Sequence, residues 1–177
     1  LPQPSWQPSP ERAILAAMYG NDSEGIVRLL GDWIGAHPEE PAGYAARGQA
    51  LCRLRRGNQA KNDLERALAL GSTEAGVRGC LGMQLAIEGK HASAVEHMRA
   101  AIAGEWYGSE LYGTLGHSLL VLGQVEEAVQ AYERSLELGV PPGAQTLGLA
   151  NFNLACGYAR LGRVEDALTA VERAVEQ

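Results

Sequence analysis

The chain contains few aromatic residues: they make up 6% of its 177 residues, with a single phenylalanine, while alanine, leucine and glycine dominate. β-Sandwiches and β-barrels need many β-branched and aromatic side chains. The composition therefore favours closely packed helices over either β architecture.

Cysteine is also scarce, and no long apolar run is present. Cys52, Cys80 and Cys156 are an odd number without CxxC spacing, which argues against a disulfide framework and favours a reducing compartment. No apolar run reaches transmembrane length, and no signal peptide is visible. We therefore expect a cytoplasmic protein without membrane insertion. If an upstream segment was removed before Leu1, an exported or membrane-tethered protein is the alternative.

Positive charge is lacking in the second half of the chain. Residues 1–70 hold eight basic and eight acidic side chains, whereas residues 71–177 hold seven and thirteen. Nucleic-acid binding needs a basic stripe, so the sequence predicts no nucleic-acid partner. A local basic cluster is interpreted as a solvated helix face, with contact to an acidic partner as the alternative. Its members are Arg47, Arg53, Arg55, Arg56, Lys61 and Arg66.

The usual catalytic and cofactor motifs are missing: there is no HExxH, GxSxG, phosphate-binding loop or GxGxxG after a strand. One row of side chains, Gln49, Met83, His117 and Cys156, is expected at similar height on successive helices. It suggests soft metal ligands or a His117–Cys156 nucleophile–base pair. However, such helices lie about 10 Å apart, and no carboxylate orients the imidazole. We therefore predict no enzyme activity, no metal and no cofactor.

Small residues recur at an interval of 34. Each copy of the repeat contains two runs with apolar residues at helical spacing, separated by a short turn. A last copy follows a five-residue insertion and carries Ala155 in the glycine row. The rows are Gly48, Gly82 and Gly116; Ala60, Ala94 and Ala128; and Leu51, Leu85 and Leu119.

The glycines have two predicted roles. Gly123 and Gly162 can take a positive φ and end the first helix of a pair. Gly116 instead faces the partner helix, where the lack of a side chain allows close approach. A glycine inside a helix costs about 0.5–1 kcal/mol relative to alanine, so denser packing must offset it.

The spacing resembles the tetratricopeptide repeat family, whose unit is a 34-residue helix–turn–helix. Two departures stand out, because Arg47 occupies a usual leucine position and the turn "RRGN" carries its glycine two residues late. The resemblance covers roughly residues 8–177. The matching set is Tyr112, Leu115, Gly116, Leu119, Gly123, Ala128 and Tyr132.

The resemblance implies an all-α, right-handed α-solenoid of antiparallel helix pairs, with a concave face lined by the first helix of each pair. We expect a proline-rich lead or linker at 1–10 and a single domain at 11–177. The approximate repeats are 7–40, 41–74, 75–108, 109–142 and 148–177. In the last pair, Leu168, Val171 and Val175 should be partly uncovered.

The concave groove is the predicted ligand site, with a small and apolar centre and polar groups toward its ends. Gly79 and Gly113 are 34 residues apart on its floor, where either a ligand backbone approaches or the helix starts are simply weak. The predicted groove residues are Gln49, Cys52, Arg53, Gly79, Cys80, Met83, Ile87, Gly113, Thr114, His117, Leu120, Val121, Phe152, Asn153, Cys156 and Arg160.

The sequence thus predicts a non-catalytic protein-interaction scaffold that binds an apolar peptide or an amphipathic helix in its groove. Two alternatives stay open. The first is a self-associating module, with a homodimer formed through the uncapped C-terminal helix pair. The second is an accessory domain of a larger enzyme or of a secretion or assembly complex.

Overall fold

The computed structural model describes residues 22–139 and 146–175, and all regular structure in these ranges is α-helical. The proline-rich lead at 1–10, the start of the first repeat and the last residues of the repeats at 109–142 and 148–177 lie outside the described residues. The described helices are α1 (Ser23–Ala36), α2 (Pro41–Arg53), α3 (Gly57–Ala69), α4 (Ala75–Ile87), α5 (His91–Ala103), α6 (Ser109–Val121), α7 (Val125–Glu137), α8 (Thr146–Arg160) and α9 (Val164–Val175).

The helix bounds follow the period of the sequence. The helices α2, α4 and α6 begin at residues 41, 75 and 109, and α3, α5 and α7 begin at 57, 91 and 125. Each of these six helices is 13 residues long. The coordinates divide into two compact units, 1–81 and 82–177, and each unit is described by itself below.

The turn inside each helix pair contains one residue in the left-handed conformation. Gly123 and Gly162 have φ values of +80° and +73°, which confirms their predicted role. At the equivalent position of the second repeat, Arg55 has a φ of +58°, while the late Gly57 starts α3. The departure in "RRGN" therefore leaves a non-glycine residue in a conformation that disfavours a Cβ atom.

Replacing Arg55 with glycine is expected to raise the free energy of unfolding by about 1 kcal/mol, since the left-handed strain is relieved and part of that gain is lost to chain entropy. Urea unfolding followed by circular dichroism measures the change. The Arg55→Ala variant is the control, because it removes the same charge but keeps a Cβ atom. Equal stability of the two variants would contradict this explanation.

In the first unit, α2 packs against both α1 and α3. Its core contains Ile26, Leu30 and Ala50. A Cβ atom built on Gly48 would lie 2.8 Å from the side chain of Leu64, so the glycine lets α2 and α3 approach closely. The predicted role of the glycine row is confirmed at this position.

A buried ion pair explains why Arg47 can occupy a usual leucine position. The Nε atom of Arg47 donates to Oδ2 of Asp63 at 2.6 Å, and its Nη2 atom donates to Oδ1 at 2.7 Å. The side chain of Asp63 is 9% exposed and that of Arg47 is 26% exposed. The hydrogen bonds to Asp63 raise the pKa of Arg47 above its ordinary value. One charged pair thus stands where the other repeats place apolar side chains.

In the second unit, neighbouring helices pack in chain order from α5 to α9, and α6 also contacts α8. A Cβ atom on Gly116 would lie 2.9 Å from the ring of Tyr132, and one on Gly82 would lie 2.7 Å from Met98. Tyr132 and Met98 are almost fully buried. The glycines therefore allow large side chains of the second helix to fill the space between the helices of a pair.

Candidate functional site

Five of the predicted groove residues lie in the first unit. Gln49, Cys52 and Arg53 are at least partly exposed on α2, whereas Gly79 and Cys80 of α4 are buried. The side-chain amide of Gln49 donates to the carboxylate of Glu74 at 3.3 Å. A ligand would therefore reach this unit through the three residues of α2.

The other eleven lie in the second unit, on the end of α4, on α6 and on α8. Large apolar side chains stand out from each of these helices: Ile87 is 76% exposed, and Val121 and Phe152 are each 55% exposed. His117 and Arg160 are also exposed, while the remaining six are partly exposed: Met83, Gly113, Thr114, Leu120, Asn153 and Cys156. The second unit thus presents most of the predicted set to solvent.

Arg160 connects two of these helices. Its Nη1 atom donates to the backbone carbonyl of Leu120 at 3.0 Å, at the carboxyl end of α6, where helix carbonyls lack partners and carry partial negative charge. A guanidinium has five N–H donors, so this contact leaves donors for an acidic group. The exposed side chain of Val121 follows Leu120 directly, so apolar and cationic contacts lie side by side.

His117 contacts a histidine that sequence reasoning did not select. The ring of His91, at the start of α5, lies edge to face against it with centroids 5.7 Å apart, and Nδ1 of His91 is 3.3 Å from the hydroxyl of Ser118. His91 belongs to the second-helix row, and nothing in the spacing of the sequence links it to His117. Among the described residues, no group of three or more histidine, cysteine or acidic side chains is placed to hold a metal ion.

An apolar cleft of about 300 Å³ opens between α8 and α9. It contains two predicted groove residues, Phe152 and Cys156, together with side chains of α9 that the groove prediction did not include. The lining residues are Phe152, Ala155, Cys156, Ala159, Val164, Ala167, Leu168 and Val171.

The equivalent face of α6 and α7 is covered, which shows what the α8–α9 face is missing. Val129 and Tyr132 on α7 are 3% and 1% exposed, because α8 packs over them. The residues 39 positions later, Leu168 and Val171, are 55% and 43% exposed, and Val175 is 80% exposed. The expectation that these three side chains are partly uncovered is confirmed among the described residues.

The contact of α8 with α7 combines close approach with one strong hydrogen bond. A Cβ atom on Gly157 would lie 2.7 Å from Val129, and the hydroxyl of Tyr158 donates to Oε1 of Glu133 at 2.6 Å. Burial, followed by this hydrogen bond, raises the pKa of Tyr158 to about 12. The hydroxyl therefore stays protonated, as a donor, at neutral pH.

A second cleft, of about 450 Å³, lies in the first unit and has a polar lining. Its two guanidinium groups are already matched to carboxylates, Arg47 to Asp63 and Arg56 to Glu24 at 2.7 Å. The cleft is therefore close to neutral and does not form an anion site. Its lining residues are Val27, Arg47, Leu51, Arg56, Gln59, Asn62 and Asp63.

Similar solved structures share the fold. A crystal structure of MamA is 20% identical, covers 97% of this chain and 95% of that chain, and has a TM-score of 0.69. MamA 41-end from Desulfovibrio magneticus RS-1 is 17% identical over 94% and 92%, with a TM-score of 0.70. YrrB, described as a TPR protein with an unusual peptide-binding site, is 20% identical over 92% and 81%, with a TM-score of 0.68. The predicted all-α helical-repeat fold is therefore confirmed.

No described helix combines the length and the apolar character that a bilayer crossing requires.

Sequence similarity is confined to one repeat. No curated protein sequence matches the chain. A family model described as tetratricopeptide repeat matches residues 109–138, which contain α6 and α7. Proteins of this family are generally non-catalytic interaction scaffolds. The matched repeat, the recurring helix pairs and the shared fold identify this chain as a tetratricopeptide repeat protein.

Proposed function

We propose that the protein is a non-catalytic interaction scaffold that binds an apolar peptide or an amphipathic helix in the groove formed by the inner helices of its second unit. The observation that carries this proposal is the exposure of Ile87, Val121 and Phe152, one large apolar side chain on each of α4, α6 and α8. Monomeric proteins rarely leave apolar side chains exposed in groups unless they serve as contact sites.

The surroundings of these side chains suit a polypeptide ligand. Burying a side chain the size of valine or phenylalanine contributes about 1.5–3 kcal/mol, so a few such contacts supply the affinity of a peptide complex. Arg160 and His117 lie at the edge of the apolar side chains and offer polar contacts that would fix orientation. YrrB, which shares the fold, is described as having a peptide-binding site, and this supports the proposal by analogy of fold alone.

The proposal is tested with a peptide selected from a displayed library against the full chain, whose dissociation constant is then measured by calorimetry. The Val121→Glu variant is expected to bind the peptide at least tenfold more weakly, since a carboxylate would have to be desolvated in an apolar contact. Leu168→Glu is the matched control, because Leu168 has the same 55% exposure but lies on α9, and its affinity should stay within twofold of the unsubstituted chain.

Circular dichroism verifies that both variants are folded. A folded Val121→Glu variant with unchanged affinity would refute binding in the groove. A failure to select any peptide from the library would count against the proposal as well.

The alternatives from the sequence remain separate proposals. A homodimer through the C-terminal helix pair is supported by the open face of α8 and α9, and sedimentation of the full chain tests it directly. An accessory role in a larger complex rests on the family resemblance. The cytoplasmic location and the lack of a nucleic-acid partner rest on the cysteine pattern and on the net charge of −6.

A further inference from the structure

We propose that the open face of α8 and α9 is a second docking site, separate from the groove, and that it takes a partner's α-helix with a small residue followed directly by a hydrogen-bond donor. The face consists of the apolar cleft side chains Phe152, Val164, Leu168 and Val171, with Glu165 and Glu172 beside them. This inference does not depend on peptide binding in the groove.

The occupant is defined by a contact within the same chain. The helix α8 covers the equivalent face of α6 and α7, so the helix that would cover α8 and α9 needs similar chemistry. There Gly157 lies against Val129, which corresponds to Leu168 in α9 by the offset of 39 residues. Ser118 holds the same position in α6 and is fully buried. A small residue at this point lets the covering helix approach.

The polar part of the contact is repeated too. Tyr158 donates to Glu133 across the α7–α8 interface, and the residue 39 positions after Glu133 is Glu172, which is exposed on α9. A donor that follows the small residue of the incoming helix would meet Glu172 in the same way. The expected donor is tyrosine, lysine or arginine.

Charge further narrows the occupant. At 100° per residue, the exposed stripe of Val164, Leu168 and Val171 has Glu165 and Glu172 on its outer flank, and both glutamates are exposed. A helix with basic residues on the facing flank is complementary to them. A second copy of α9 fits less well, because in a two-fold antiparallel pairing the same acidic flanks of the two copies would meet.

The test uses a labelled synthetic peptide with the sequence of residues 146–163, which contains Gly157 and Tyr158, and measures its binding to the full chain by fluorescence anisotropy. Leu168→Glu in the protein is expected to weaken binding at least tenfold. Val164→Glu, at a site that is 62% exposed, should have a similar effect. Both sites are exposed enough for the variants to fold.

A double-mutant cycle isolates the polar contact. Glu172→Gln in the protein and Tyr158→Phe in the peptide should each weaken binding about threefold to tenfold. The two changes together should cost little more than either alone, because they remove the same hydrogen bond. A nonspecific apolar contact would show no such coupling, and additive effects would overturn the assignment of the donor.

The Val121→Glu protein separates this site from the groove, since its affinity for the peptide should stay within twofold of the unsubstituted chain. Loss of binding in that variant, with Leu168→Glu unaffected, would place the peptide in the groove and overturn the proposal. Absence of binding to the unsubstituted chain would also overturn it. A dimer that Leu168→Glu dissociates and that excludes the peptide would show that a second copy is the occupant instead.

Discussion

Replacing Asp63 with alanine is expected to lower the free energy of unfolding by about 3 kcal/mol, because it leaves the guanidinium of Arg47 partly buried without its carboxylate. Two hydrogen bonds of 2.6 and 2.7 Å are lost together. The loss should appear as a lower midpoint in urea unfolding with an unchanged dependence on denaturant.

The repeat itself supplies the rescuing variant. The residues that correspond to Arg47 and Asp63 in the pair α6–α7 are Leu115 and Ala131, which are 6% and 5% exposed. The double variant Arg47→Leu with Asp63→Ala copies that apolar pair. It should recover at least the stability of the unsubstituted chain, since apolar replacements of buried ion pairs are often neutral or stabilising.

An exposed ion pair of the same unit is the control for this experiment. Arg66 and Glu39 lie 3.3 Å apart with exposed side chains, so Glu39→Ala should cost less than about 1 kcal/mol. If Asp63→Ala costs no more than Glu39→Ala, the Arg47–Asp63 pair does not contribute what its burial indicates. If the double variant is no better than Asp63→Ala, the apolar pair does not fit at this position.

Replacing Gly116 with alanine is expected to lower the free energy of unfolding by about 2 kcal/mol, because overpacking a dense core costs 1–3 kcal/mol. The added Cβ atom would lie 2.9–3.0 Å from three atoms of the Tyr132 ring, and this ring is 1% exposed. A rigid, buried ring cannot move aside without shifting one of the two helices.

Gly113 in the same helix provides the matched control. A Cβ atom there would meet only the hydroxyl of Ser135, at an ordinary 3.4 Å. Gly113→Ala should therefore be neutral or stabilise the protein by up to about 1 kcal/mol through helix propensity. Thermal unfolding of both variants decides the matter, and equal effects at the two positions would contradict the close-packing explanation.

The helical repeat could be predicted from the sequence because its causes are local. The spacing of Gly48, Gly82 and Gly116 reflects the separation of paired helices, and the structure confirms close contacts at all three. Gly123 also behaves as expected, with a φ of +80°. In each case a residue type without a side chain is the one that the backbone geometry requires.

The weak points of the prediction have a common cause, which is that they depend on residues distant in the sequence. Arg47 looked like a departure from the repeat until Asp63, 16 residues later, was found to neutralise it. Gly79 and Cys80 were expected on an open groove, and both are buried. His91 contacts His117, although the repeat assigns the two residues to different rows.

The sequence by itself determined the architecture of helix pairs, because the 34-residue period and the helical spacing of apolar residues are properties of consecutive residues. Only the tertiary structure decided which surfaces are available to a partner. Val129 and Leu168 occupy the same position of the repeat, yet one is 3% exposed and the other 55%. The difference arises because a following helix covers α7, and burial depends on which neighbour is packed above a side chain, not on the residue's place in the repeat.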